Sequence, residues 1–295
     1  MPKPPGPVLT AATRHAAVLG SPISHSLSPA LHLAAYRALG LSHWSYGAHE
    51  VQAPALAGFM AGLGPQWAGL SLTMPLKAAA FEVADEVTDL AREVGAINTL
   101  VRQPDGGWSG DNTDVYGVAQ ALLEAGLTQV SSAVVLGSGA TARAVVAALA
   151  RMGCAKVTFA VRSQARRETL DQSSRAGLEV DVVGLGQLAD VMGDAPVVIS
   201  TLPANALPVN VLPWNAPTGR VLEQRSANTG HVLLDVVYTG WPTPLARAFQ
   251  DTGGSVVSGL EMLVHQAAEQ VRLMTGLCPP VDQMRAAGLA AMGSR

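Results

Sequence analysis

The sequence predicts an α/β protein of two domains, an N-terminal α/β unit followed by a doubly wound, Rossmann-like parallel sheet. Three observations carry that prediction. Short apolar runs alternate with helix-length segments along the chain, the order that builds a sheet covered by helices. The alternation restarts at "EAGLTQVSSAVVLGSG", which marks the boundary between the units. At 295 residues, with 48% hydrophobic and 14% charged content, the chain has material for about two cores.

The elements follow in order. "AAVLG" (16–20) reads as a buried strand. A helix runs next to about Leu39, with Ser28 expected at its N-cap and Pro29 at the first helical position. "WSYGAHEV", "WAGLSL" and "AINTLVR" are strands, and "NTLVRQPDGGWSGDN" is a strand–turn–strand element turning at Asp105-Gly106-Gly107. A helix is expected from about Thr113 to Ala125. In the second unit "AVVLG" is a strand, Ala140–Met152 a helix, "KVTFAV" a strand and Gln164–Ser174 a helix, with "VVIST" and "HVLLDVV" as later strands. "LPANALPVNVLPWNAPTGR" is too rich in proline and asparagine for regular structure and reads as an excursion. The last long helix, Gly259–Thr275, has an apolar face at Leu260, Leu263, Val264, Ala267, Val271 and Met274. The expected division is a flexible leader at 1–15, one domain at 16–113 and another at 114–258.

Composition narrows the function. A net charge of −3 gives no reason to expect nucleic acid. Cys154 and Cys278 share no CxxC spacing, and the seven histidines show no ligand spacing, so no metal site and a cytoplasmic setting are expected. No apolar run reaches membrane-spanning length, and the N-terminus lacks the apolar core of a signal peptide.

One stretch stands apart. In "LSLTMPLKAAA", Lys77 is one of only three lysines, while sixteen of the nineteen basic residues are arginine. An amine can lose its proton when desolvated and a guanidinium effectively cannot, so lysine here fits a proton-transfer role. A lysine laying its stem on apolar surface is the bland alternative. "SGDNTDVYG" places Asp111 and Asp114 where a helix begins; one acid can serve that helix, and the other is left over. If Asp114 meets Lys77 in a cleft, the pair supplies what interconversion of an alcohol and a ketone needs. Ser26 and Ser28, at the start of the first helix, make a seat for a carboxylate. Asn98, in an apolar strand, needs partners. A nucleophilic triad built on His25 and Ser26 fails, because the two are sequence neighbours and no G-x-S-x-G elbow is present.

Gly137-Ser138-Gly139-Ala140-Thr141-Ala142 follows a strand and opens a helix, the context of a dinucleotide phosphate turn. The next strand ends in "AVRSQARRE" with no carboxylate before Glu168, whereas an NAD site places an acid there. Arg162, Ser163 and Arg166 suit a 2′-phosphate instead, so the expected cofactor is NADP(H).

Together "GSPISHSLSP", "LTMPLK", "GAINTL", "GDNTDVYG", "GSGATARA", "VRS", "DVVYTGWPTPL" and "GLEMLVHQA", in that order, resemble the shikimate dehydrogenase family over about residues 16–275. The resemblance implies an NADP-dependent oxidoreductase interconverting 3-dehydroshikimate and shikimate, with Lys77 and Asp114 as its catalytic pair. It places Ser26, Ser28, Thr73 and Tyr238 around the substrate carboxylate, and Asn98 and Gln266 on the ring hydroxyls. It adds Thr201, Val237, Gly259 and Met262 to the cofactor residues, and returns 259–295 to the substrate domain. A monomer or homodimer is expected. The related alternatives are an NAD-preferring quinate/shikimate dehydrogenase and a non-catalytic shikimate-binding protein. Three positions depart from the family pattern: Ser71 stands for the usual Asn, Val161 for an Asn, and "STLPA" for an Asn-containing turn. The shorter Ser71 predicts weaker or water-mediated substrate contacts.

Overall fold

The computed structural model describes residues 13–193, 195–203, 206–207 and 231–293. The first domain runs β1 (Arg14–Gly20), α1 (Ser28–Ala38), β2 (Trp44–Glu50), α2 (Leu56–Ala61), β3 (Trp67–Leu72), α3 (Leu76–Ala79), β4 (Glu86–Val87), α4 (Asp89–Val94), β5 (Thr99–Arg102) and β6 (Trp108–Asp111). Its sheet has the order β2-β1-β3-β5-β6-β4. β1 is parallel to β2 and β3, while β5 is antiparallel to both β3 and β6. Alternation along β1 divides the core: Ala16 and Val18 pack on one face with Leu31, Val264 and Val271, and Ala17 and Leu19 on the other with Leu56, Leu70 and Leu100.

α5 (Asp114–Glu124) leads into β7 (Ser132–Leu136), α6 (Ala140–Arg151), β8 (Lys156–Val161), α7 (Arg167–Arg175), β9 (Glu179–Gly184), α8 (Leu188–Met192), β10 (Val197–Ser200), β11 (Val232–Asp235), α9 (Pro244–Asp251) and β12 (Ser255–Ser258). The second sheet is parallel in the order β12-β11-β10-β7-β8-β9, which reverses direction between β7 and β10. Such a switch point opens a crevice at the carboxyl ends of the strands, where ligands bind. α10 (Gly259–Thr275) returns to the first domain and packs on β1 and α1, followed by α11 (Val281–Gly293). Arg285 fastens α11 by donating to Glu261 and Glu124 at 2.7 and 2.6 Å. No helix among the described residues is long and apolar enough to cross a membrane.

Several local expectations shift. β1 starts at Arg14, two residues before the strand expected and inside the segment read as leader, because Arg14 already pairs with Trp44. Ser28 is the first residue of α1 and not its cap; Ser26 Oγ accepts the Ser28 N–H at 3.2 Å instead. Asn98 lies one residue before β5, although its backbone N–H donates to Asp111 O at 3.0 Å. α7 begins at Arg167, because Arg166 keeps an extended backbone and donates its N–H to Ser138 Oγ at 3.0 Å. Residues 1–12 of the expected leader, and nearly all of the proline-rich excursion after β10, lie outside the described residues.

Candidate active site

The cleft between the two sheets holds a cavity of about 340 Å³, and beside it a groove of about 470 Å³. The cavity is lined by the segments after β1 and β3 and by α10, and the groove by the segment after β3 and the glycine turn after β7. Thr73, Lys77 and Thr141 line both spaces, so a ligand in one meets a ligand in the other at these residues.

Lys77 is presented by the short α3 after β3, and Asp114 by the first turn of α5. Lys77 Nζ donates to Asp114 Oδ2 at 2.5 Å, with the two side chains 20% and 9% exposed. The other carboxylate oxygen, Oδ1, accepts from Asn98 Nδ2 at 2.8 Å. Asp114 does not cap its helix: the Asn112 Oδ1 accepts the Asp114 N–H at 3.1 Å, and Asp111 accepts from Thr88 Oγ1 and the Asn112 N–H. Asp111 is thus the structural acid of the pair, which leaves the Asp114 carboxylate for Lys77 and Asn98.

Asn98 is held on every side. Its Oδ1 accepts from the Thr113 N–H at 2.8 Å and from Thr99 Oγ1 at 2.7 Å, which fixes the amide with Nδ2 towards Asp114. Behind it runs a buried chain: Gln270 Nε2 donates to Thr99 Oγ1 at 2.9 Å, Ser71 Oγ to Gln270 Oε1 at 2.7 Å, and Tyr46 OH to Ser71 Oγ at 2.6 Å. Burial pushes the Tyr46 phenol far above its ordinary pKa, so this hydroxyl stays protonated and serves as a donor.

Ser26, Ser28 and Thr73 also line the cavity, as does Tyr238, which comes from the segment after β11. Gln266, on α10, accepts from Asn98 Nδ2 at 3.3 Å and also lines the cavity, as do Gly259 and Met262. Ser71 lines the cavity as well, but its hydroxyl is occupied by Tyr46 and Gln270, so the shorter side chain is integrated into the wall.

The groove fits a dinucleotide phosphate. Gly137 has φ +92°, in the region that favours glycine, and a Cβ there would lie 2.8 Å from Thr201 Oγ1. Gly139 caps α6 without a side-chain hydrogen bond, and nothing lies within 4 Å of where its Cβ would project, so a phosphate can approach the N–H groups that open the helix. Ser138, Ala140, Thr141, Thr201 and Arg166 complete that wall. Arg162 and Ser163 project from the exposed loop before α7, outside the groove lining. Val161 is core, 5% exposed. Val237 lies elsewhere, in a small pocket with Ser200 and Asp235, and donates its N–H to Asp235 Oδ1 at 3.2 Å.

Comparison with known proteins assigns the chain. Family models described as the shikimate dehydrogenase substrate binding domain, shikimate/quinate 5-dehydrogenase and the shikimate 5′-dehydrogenase C-terminal domain match residues 18–100, 118–216 and 259–287. An NADP(+) shikimate dehydrogenase of Synechocystis sp. is 36% identical, the match covering 95% of this chain and 97% of the relative. The chain belongs to the shikimate dehydrogenase family. The crystal structure of shikimate dehydrogenase from Mycobacterium tuberculosis superposes with a TM-score of 0.80 at 45% identity, over 94% of this chain and 99% of that one. The Thermus thermophilus shikimate 5-dehydrogenase, solved in complex with NADP(H) and shikimate, gives 0.79 at 32% identity over 95% and 100%.

Within that family framework, four residues of this chain's cleft were not singled out in the sequence: Tyr46, Thr99, Gln270 and Arg143. Tyr46 read as an ordinary strand aromatic, and Thr99 as part of an apolar strand. Gln270 had a cue, a polar residue one helical turn after Gln266 on the same face of α10. Arg143 lines the groove from the first turn of α6 and donates from Nη2 to Gly95 O at 3.0 Å, tying the nucleotide domain to α4 of the substrate domain. Burial draws its pKa below the usual guanidinium value.

Proposed function

We propose that the protein reversibly reduces 3-dehydroshikimate to shikimate with NADPH, with Lys77 and Asp114 handling the proton on the reacting oxygen. The observation that carries this reading is the position of Lys77: its amine is bonded to Asp114 and lies in the wall common to the cavity and the groove. When bound, NADPH supplies a hydride to the carbonyl carbon, and NADP⁺ accepts one in reverse. The residues that would hold it are Gly137, Ser138, Gly139, Ala140, Thr141 and Thr201 at the phosphates, with Arg162, Ser163 and Arg166 at the 2′-phosphate.

The chain supplies the rest. The Lys77 ammonium donates a proton to the carbonyl oxygen as it becomes an alkoxide, and in reverse its neutral amine takes the hydroxyl proton. Asp114 orients that amine and compensates its charge, and Asn98 holds Asp114 by its second oxygen. Ser26, Ser28, Thr73 and Tyr238 seat the substrate carboxylate, while Ser71, Asn98 and Gln266 face the ring hydroxyls. Gly259 and Met262, which line the cavity from α10, are the residues that would lie beside a bound nicotinamide. Two free cysteines and a soluble metabolite fit a cytoplasmic enzyme.

The fold alone leaves the quinate alternative standing, since the NAD complex of quinate dehydrogenase from Corynebacterium glutamicum superposes at a TM-score of 0.81 with 29% identity. The deciding assay crosses shikimate and quinate against NADP⁺ and NAD⁺, following absorbance of the reduced nicotinamide. The proposal requires shikimate with NADP⁺ to be the fastest pair. Faster quinate oxidation with NAD⁺ selects the alternative, and calorimetric shikimate binding without turnover selects a non-catalytic protein.

A further inference from the structure

The buried chain behind the cavity has a direction, and the direction has a consequence for the ligand. Gln270, on α10, is 1% exposed and its amide is oriented by two acceptors: Nε2 faces the Asn98 backbone O at 3.4 Å and Thr99 Oγ1 at 2.9 Å. A carbonyl oxygen only accepts, so Nε2 must be the atom turned that way, and Oε1 is turned towards Ser71. Ser71 Oγ lies 2.7 Å from this Oε1, which also only accepts, so the single Ser71 proton is committed there. Tyr46, buried and protonated, donates into one Ser71 lone pair at 2.6 Å. What remains of Ser71 Oγ towards the cavity is one lone pair.

We propose that Gln270 is a specificity-determining residue: by holding the Ser71 proton it makes Ser71 a pure acceptor towards the substrate, so the cavity selects a ring hydroxyl that donates at that point. The inference rests on the reading that Ser71 faces bound substrate. Gln270 sets a second polarity through Thr99. Because Thr99 Oγ1 receives the Gln270 N–H, its own proton goes to Asn98 Oδ1 at 2.7 Å, which keeps Asn98 Nδ2 directed at Asp114. The two effects are separable by substitution. Gln270→Met removes the acceptor and frees the Ser71 proton to turn into the cavity, while Asn98 Oδ1 keeps the Thr113 N–H. Gln270→Glu, when ionised, still accepts from Ser71 but also draws the Thr99 proton away from Asn98.

The test measures kcat and KM with NADP⁺ for shikimate and for its two analogues in which a ring hydroxyl other than the reacting one is replaced by fluorine, which accepts weakly and cannot donate. The wild-type protein should reject the analogue altered at the Ser71 position by about a hundredfold or more in kcat/KM, as a site that hydrogen-bonds a hydroxyl does. Gln270→Met should shrink that ratio by about tenfold or more, chiefly through the relative KM values, beyond any loss of kcat common to all substrates. Gln270→Glu should keep the ratio and lower kcat for all substrates. A merely structural role would slow every substrate in proportion and leave the ratio intact in both variants, which overturns the proposal. Should Gln270→Met fail to fold, Gln270→Asn, whose amide stops short of Ser71, carries the same expectation. Ser71→Ala separates the two levels: an unchanged shikimate KM sinks the placement of Ser71 on substrate. A raised KM together with an unchanged ratio in Gln270→Met sinks only the role of Gln270.

Discussion

Lys77 Nζ and Asp114 Oδ2 meet at 2.5 Å across 37 positions of sequence, one from the turn after β3 and the other from the start of α5. Neither group is required to hold the fold together there: α5 is served by Asn112 and Asp111, and α3 is a single turn. Removing either side chain should therefore cost turnover before stability. Lys77→Ala and Asp114→Asn are each expected to lower kcat by about a hundredfold or more, with KM for shikimate changed far less, as befits positioned acid–base groups. Steady-state kinetics with shikimate and NADP⁺ check this, and wild-type turnover in both variants would remove the mechanism.

The cofactor preference is expected to reside in two arginines that reach the groove differently. Arg166 lines it, with its backbone fixed by Ser138, while Arg162 stands on the exposed loop beside it. Charge-assisted hydrogen bonds contribute about 1.5–3 kcal/mol each, so Arg166→Ala should raise KM for NADPH by about tenfold or more and leave KM for NADH nearly unchanged. Arg162→Ala should act in the same direction, more weakly. Equal losses for both cofactors would place the 2′-phosphate elsewhere.

Much of this arrangement is legible in the sequence because it is local. The glycine turn, the missing acid after "KVTFAV" and the serine pair before α1 each reveal their chemistry within a few residues. Lys77 stands out because arginine is the chain's default cation, and Asp114 because Asp111 already suffices for the helix start. What the sequence conceals is pairing at a distance. Ser71 and Gln270 are 199 positions apart, and only the return of α10 to the first sheet brings them together. By its size alone, a serine in place of the family's asparagine predicts weaker contacts; its two partners lie on β2 and α10, and no local pattern points to them. Short and edge elements were equally hidden. β4 has two residues, and β9, an edge strand mostly open to solvent, lacks a clean buried face.

Gly259 is expected to be intolerant of any side chain for a steric reason. It begins α10 directly behind the segment after β11, where an added Cβ would lie 2.2 Å from Val236 O and 2.9 Å from the Val237 carbonyl carbon. Both contacts are backbone, so a rotamer change cannot relieve them. Gly259→Ala should displace the start of α10 and with it Met262 and Gln266, both of which line the cavity. The expected outcome is a loss of thermal stability together with a raised KM for shikimate. Wild-type values for both would show that the helix start yields without affecting the site.

His32 should make the substrate domain sensitive to acid. It is fully buried in α1, stacked on Tyr46 with centroids 3.9 Å apart, and its Nδ1–H donates to Ser28 O at 2.9 Å. Its Nε2 is buried without a hydrogen-bond partner among the described residues. Burial is the larger influence and lowers its pKa from 6.5 to about 4, against the smaller raising effect of the Ser28 bond. The folded protein thus binds fewer protons than the unfolded chain between those two values. Stability is unaffected by this group above pH 6.5 and falls as the pH drops towards 4. The loss has a slope of about 1.4 kcal/mol per pH unit from this residue, roughly 3 kcal/mol across the window. Urea midpoints of the wild type and His32→Phe at pH 7.5 and 5.0 provide the check. The variant loses the Ser28 bond and starts less stable, but its stability should decline less on acidification. Parallel declines in the two proteins would assign the acid sensitivity to other groups.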